Sequence, residues 1–217
     1  MENITKHNVQ VQRTARFFTL NAITADTRHI WVVFHGYGQL GEYFIRHFRH
    51  LNPKEHAIIA LEGQSRFYVD GLSGRVGASW MTSEDREDEI ADQSGYVNAV
   101  LNNLGIDPST EHRLTVLGFS QGTAAAVRWM VRNDVRAQRL VLWAGQLPHD
   151  VASEKLQAML KDAKVDFCIG TEDEFITKAQ VEERMLQLRE LLPQLKMHWF
   201  EGKHVMDSDT LLKVSQG

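Results

Sequence analysis

A chain of 217 residues, 43% hydrophobic and 24% charged, carries enough apolar material to bury a core without staples, and its one cysteine, Cys168, excludes an internal disulfide. Twenty-four basic against 28 acidic residues leave a net charge of −4 with no basic block, which speaks against a nucleic-acid partner or an anionic membrane surface. No run reaches the apolar length of a membrane span, and the opening M-E-N-I-T-K-H-N-V-Q has no signal-peptide core, so the expectation is one cytoplasmic domain over residues 1–217.

Two rather polar stretches open the chain, Val9 to Gln12 and Arg16 to Leu20, and together they predict an edge hairpin. Short, nearly continuous apolar runs follow: Ile30 to Phe34, Ala57 to Leu61, Leu114 to Phe119, Leu140 to Ala144, Asp166 to Ile169 and Met197 to Phe200. Strands that are apolar on both faces belong in a sheet covered on both sides. The segments between them are helical in pattern. Glu84 to Leu104 begins with Glu84, Asp85 and Glu87, which favour a helix N-terminus. Gly122 to Asn133 is rich in alanine. Thr177 to Leu192 puts Val181, Met185, Leu188 and Leu192 on one face, and Thr177 with Gln180 fits a capping box. The alternation predicts an α/β fold with a mostly parallel central sheet and helices on both faces. Cys168, inside D-F-C-I-G, reads as a buried strand residue. Glu62 to Ser83 is the longest stretch without periodicity, and such loops in compact domains are often functional.

The chemistry begins at G-F-S-Q-G, Gly118 to Gly122, between the run R-L-T-V-L and the helical T-A-A-A-V-R-W. A strand–turn–helix setting is what gives G-x-S-x-G meaning: the sharp turn lifts the serine hydroxyl clear of the sheet, and flanking side chains would clash. Taken alone, the motif also describes an inert turn. A serine nucleophile needs a base and an orienting acid, in the order Ser, Asp or Glu, His on this kind of sheet. G-T-E-D-E-F-I follows one strand at Gly170 to Ile176, and E-G-K-H-V follows the next at Glu201 to Val205. Ser120, an acid of the trio Glu172, Asp173 and Glu174, and His204 thus stand at the same sheet edge, where open α/β sheets bind ligands. Glu172 and Glu174 read as solvated acids before the next helix. His198 alternates within a strand. His47 and His50 sit three apart without an evident third ligand, so no metal is expected.

The loop H-G-Y-G-Q-L-G-E at His35 to Glu42 points two ways. Gly36, Gly38 and Gly41 spell G-x-G-x-x-G after a strand, and Glu62 closes the following strand 26 positions beyond Gly36, rather than about 20. That describes a dinucleotide-binding oxidoreductase. The same loop also suits a flexible His-Gly turn that supplies an oxyanion-hole N–H, with His35 holding it structurally. Only the second reading accounts for the serine elbow and the ordered acid and histidine. A non-catalytic binding protein on the same fold would carry a broken triad, and this one is intact.

The pieces H-G-Y-G at 35–38, G-F-S-Q-G at 118–122, G-T-E-D-E-F-I at 170–176 and G-K-H at 202–204 resemble the carboxylesterase, lysophospholipase and acyl-protein thioesterase group of small α/β-hydrolases. The resemblance implies an α/β-hydrolase fold without a large cap domain, and a serine esterase acting on small soluble esters, with thioesters or lysophospholipids as neighbouring classes. It implies Asp173 as the triad acid, oxyanion donors at the backbone N–H of Tyr37 and Gln121, and no cofactor. Leu61 to Thr82 departs from the group's thioesterases. Within it, Trp80 is read either as a substrate-pocket wall or as packing for the loop. The space between Ala144 and Asp166 admits about one helix, and Arg66, Asp70 and Arg75 make the long loop a poor oily flap, so no lipase-type lid is expected.

Overall fold

The computed structural model describes residues 4–217, apart from the side chains of Arg184 and Gln187. Its strands are β1 (Phe17–Leu20), β2 (His29–Phe34), β3 (His56–Leu61), β4 (Ser65–Tyr68), β5 (Val76–Ser79), β6 (Leu114–Phe119), β7 (Arg139–Trp143), β8 (Lys164–Gly170) and β9 (Lys196–Phe200). Its helices are α1 (Gly41–Phe44), which tightens into a 3₁₀ turn at Ile45–His50, then α2 (Arg86–Asn103), α3 (Gln121–Arg132), α4 (Ser153–Leu160), α5 (Lys178–Leu191) and α6 (Ser208–Gln216).

Seven strands form one sheet in the order β1-β3-β2-β6-β7-β8-β9, with β4 and β5 a separate hairpin. Within this sheet only β1, among the described strands, runs antiparallel. All residues of β3, β6 and β7 are buried, as are Ile30–Phe34 in β2, because helices cover both faces of these runs. From β2 the chain steps to β3 on one side, and from β6 onward it steps to the other. Right-handed crossovers in opposite directions put their helices on opposite faces. Accordingly α3 packs against α2 and α4, while α6 packs against the 3₁₀ turn that follows α1. The reversal makes the neighbouring C-terminal ends of β2 and β6 a topological switch point, the place where such sheets open a crevice.

Each fully buried indole finds a partner for its N–H, as burial of a polar group requires: Trp31 donates to His56 Nδ1, Trp129 to Asn98 Oδ1 and Trp143 to the Val205 carbonyl. The capping box at Thr177 is formed, with Thr177 N–H donating to Gln180 Oε1 and Gln180 N–H to Thr177 Oγ1. Cys168 is buried in β8.

Two expectations need correction. Val9 to Gln12 forms no strand, and β1 pairs instead with the outer edge of β3, Phe18 opposite Ala60. Val9 and Val11 stay 83% and 78% exposed, so that segment offers no buried face to hold a register. Conversely, residues 62–83 are not structureless. Ser65 to Tyr68 pairs with Val76 to Ser79 antiparallel, and two backbone bonds, Gly38 N–H to Ala78 O at 2.9 Å and Ala78 N–H to Gln39 O at 3.0 Å, tie this hairpin to the glycine loop.

Candidate active site

Ser120 occupies the tight turn between β6 and α3 with φ 53° and ψ −119°, a left-handed backbone that costs a non-glycine residue of order 1–3 kcal/mol. Its neighbours explain how the strain is held. A Cβ on Gly118 would lie 2.4 Å from Thr123 Cα, and one on Gly122 would lie 2.2 Å from the Phe34 carbonyl oxygen. Glycine is what allows β6, α3 and β2 to approach this closely. Ser120 N–H donates to Trp143 O at 2.8 Å, so the turn is also fastened to β7.

The glycine loop packs directly on this elbow. A Cβ on Gly36 would come within 3.2 Å of Ser120 Cβ, so the turn that carries Tyr37 packs against the serine. Gly36 N–H donates to Gln39 Oε1 and Gln39 N–H to Gly36 O, closing the turn. Among the described residues, no acceptor engages the backbone N–H of Tyr37 or of Gln121. Gln121, the first residue of α3, anchors the neighbouring loop through its side chain. Its Oε1 accepts from Trp80 N–H at 3.1 Å, and its Nε2 donates to Met81 O at 2.9 Å.

Asp173 and His204 lie beyond the ends of β8 and β9. His204 Nδ1 is 2.7 Å from Asp173 Oδ2, and the carboxylate has no side-chain exposure. Its second oxygen, Oδ1, accepts from the N–H groups of Phe175 at 2.9 Å and Ile176 at 3.0 Å. Three donors around one buried carboxylate fix its rotamer. Glu172 and Glu174 are exposed and make no such contact. The imidazole of His204 packs between Phe119, centroids 5.0 Å apart, and Phe175, 4.8 Å apart and edge-on. Among the described residues, Ser120 Oγ makes no hydrogen bond with His204, a contact that often tightens only when substrate arrives. Both side chains line one open cleft of about 1070 Å³.

Trp80 does not line that cleft. It is 3% exposed, its ring packs against those of His35 and Phe34, and its Nε1–H donates to His35 O at 2.7 Å, so it buttresses the glycine loop from behind. His35 is a fixed joint of the same network. Its Nδ1 is 2.7 Å from Gly36 O and its Nε2 accepts from Gly63 N–H at 3.0 Å, and burial pushes its pKa down to about 4. The cleft contains residues that the sequence did not single out. Phe119 and Phe175 lie inside the motifs on which the triad was read and Leu40 inside the glycine loop, but none carried a signal of its own, and His47 had been weighed only as a metal ligand.

The dinucleotide reading of the loop fails on Glu62. That side chain is 1% exposed and fully engaged: it accepts from Arg16 at 2.7 Å, Arg66 at 3.2 Å and Gly41 N–H at 3.1 Å. It faces inward as a fastener between loop and hairpin, so no carboxylate is presented to a ribose. The element after the loop is also only four residues long before it tightens, too short for a pyrophosphate-binding helix.

A family model described as phospholipase/carboxylesterase matches residues 20–216. No curated protein matches the chain. Among solved structures, the chain is similar to esterase PE8 with 21% identity and a TM-score of 0.67, covering 93% of this chain and 96% of that one. It is similar to Zea mays acyl-protein thioesterase 2 with 18% identity and a TM-score of 0.68, covering 94% and 97%. The Bacillus cereus carboxylesterase follows with 14% identity and a TM-score of 0.64, covering 93% and 92%. At these identities the likeness is one of fold.

Proposed function

Because the chain belongs to the phospholipase/carboxylesterase family and is an ester-cleaving hydrolase of the α/β-hydrolase fold, we propose that it works through an acyl-enzyme on Ser120, within a single domain. The observation that carries the reading is the placement of a strained serine and an Asp173-paired histidine in one cleft.

Ser120 Oγ attacks the ester carbonyl carbon while His204 Nε2 takes its proton. The carboxylate of Asp173 holds Nδ1–H and so keeps Nε2 free as the base. The N–H groups of Tyr37 and Gln121 donate to the oxyanion, a contribution whose loss at one donor costs about 10²–10³ in rate. When the tetrahedral species collapses, the bond to the alcohol oxygen breaks and His204 returns the proton to it. Water then attacks the acyl-serine, giving its proton to His204. The carboxylic acid leaves and Ser120 regains its hydrogen. One ester and one water become one acid and one alcohol, with no cofactor in the cycle. The favoured substrates are small soluble carboxylic esters.

A fluorophosphonate probe tests the assignment. It labels the wild type stoichiometrically and leaves Ser120→Ala unlabelled, with the variant's melting temperature intact. Labelling of the folded Ser120→Ala protein would transfer the nucleophile elsewhere.

A further inference from the structure

Among the described residues, the cleft is lined by one permanent cation, Arg75, and by no acidic side chain. Arg75 stands where the β4–β5 turn enters β5, and its carbonyl accepts from Val69 N–H at 2.8 Å. The hairpin is bonded to the glycine loop at Ala78, and the rings of Phe67 and Tyr37 lie 5.1 Å apart, so Arg75 is carried on a wall attached to the oxyanion turn. The two arginines of this hairpin have different fates. Arg66 is committed to Glu62. The Arg75 guanidinium has no ion pair or hydrogen bond among the described residues, although Asp70 sits on the same turn. The other titratable groups lining the cleft do not offset it. Burial pushes His47 below the usual histidine range, Tyr37 and Tyr43 bring phenols, and His204 is the base of the proposed reaction. The lining also includes the apolar Leu40, Phe44, Phe119 and Phe175.

We propose that Arg75 is a specificity-determining residue that selects esters carrying a second, anionic group, a carboxylate or phosphate, at the end away from the scissile bond. This rests on the acyl-enzyme reading and names its substrate class. A chain with a net charge of −4 repels anions in general, so a local cation without a partner acts against the background. The contact is exposed, which limits its effect to the size of a half-screened ion pair, about fivefold in kcat/KM.

Two matched pairs of substrates test this and locate the anion. On the acyl side, the p-nitrophenyl hemiester of adipic acid is compared with the ester of its terminal amide. On the alcohol side, para-acetoxybenzoate is compared with para-acetoxybenzamide. The wild type prefers the anionic member of one pair about fivefold, chiefly through KM, and the preference shrinks with added salt. Arg75→Gln brings that ratio to about one, Arg75→Glu inverts it, and Arg75→Lys retains part of it. Arg132→Gln removes the same charge from the far end of α3 and leaves the ratio in place. A wild-type ratio near one in both pairs, an unchanged ratio in Arg75→Gln, or an equal fall in Arg132→Gln overturns the proposal while turnover of the neutral esters still upholds the hydrolase mechanism. Failure to turn over any of the four overturns that mechanism and this proposal together.

Discussion

Replacing Asp173 by asparagine changes one atom, and the hydrogen bonds around it dictate the consequence. Oδ1 already accepts two backbone N–H groups, from Phe175 and Ile176. The new amide must therefore keep its carbonyl oxygen there, since the reverse orientation would set an NH₂ against two donors and lose two buried bonds, at about 1–3 kcal/mol each. The NH₂ is forced toward His204 Nδ1, which must then accept. A neutral imidazole accepting at Nδ1 carries its proton on Nε2 and cannot take another from Ser120. The expected loss in kcat is about 10⁴-fold, equal to about 5 kcal/mol of transition-state stabilisation. Steady-state hydrolysis of p-nitrophenyl acetate reads the loss, and a thermal melt establishes that the variant is folded. Glu172→Gln and Glu174→Gln, whose side chains are exposed, should change kcat little. An Asp173→Asn enzyme that keeps more than a tenth of wild-type kcat, or a larger loss at either glutamate, would refute the reasoning.

Three further outcomes follow from the same contacts. Gly122→Ala places a methyl group 2.2 Å from the Phe34 carbonyl, so α3 must move off β2; a loss of about 3 kcal/mol and a fall in Tm of about 6–12 °C are expected, and an unchanged melt contradicts the packing argument. Gly95→Ala, mid-helix in α2 with open space around it, should instead raise Tm slightly. His35 has its pKa lowered to about 4, so the unfolded chain binds more protons below pH 6.5; stability is complete above that value and falls as the pH drops toward 4, by up to about 3 kcal/mol from this residue. Urea midpoints across that window should depend less steeply on pH in His35→Gln, though still appreciably because burial also pushes His56 down to about 4, and an unaltered slope would exclude His35 as a contributor. Finally, the wall over the cleft is a hairpin fixed by two backbone bonds, so p-nitrophenyl ester hydrolysis should favour short acyl chains and rise smoothly with concentration, whereas a jump at the micelle threshold would reveal a moving lid.

The sheet was legible because its central strands are buried on both faces, and a continuous apolar run bounded by turns has few other uses. The proposed triad was legible for a topological reason. In a parallel sheet every strand end of one kind lies on one edge, so chain order alone brings residues after β6, β8 and β9 to a common side. The same reasoning could not decide Val9 to Gln12, because pairing there depended on which edge partner was free, and β3 took Phe17–Leu20. The hairpin inside residues 62–83 was hidden for a different reason. Its strands are four residues each with alternating or small side chains, S-R-F-Y and V-G-A-S, and their stability comes from bonds to the glycine loop rather than from their own pattern.

Trp80 and Glu62 show what separates a motif from a site. Both lie close in the chain to chemistry-bearing residues, and each had a sequence reading in which it touched a ligand. The structure turns both inward. Trp80 donates to the His35 carbonyl behind the glycine loop, and Glu62 binds the loop's Gly41 N–H together with two arginines. An acid with three donors cannot hold a ribose, and an indole with 3% exposure cannot meet an acyl chain. What these residues supply is rigidity at the position that needs it: the Tyr37 amide has value as an oxyanion donor only if its loop is held before substrate arrives, since a donor that must reorganise gives back much of its effect. The G-x-G-x-x-G spacing is then a by-product of two separate demands, a tight turn at Gly36 to Gln39 and close packing of Gly41 against the Leu61 carbonyl. The nucleotide motif and the proposed oxyanion turn share their glycines because both need backbone where a side chain would stand, and only the fate of the distant acid tells them apart.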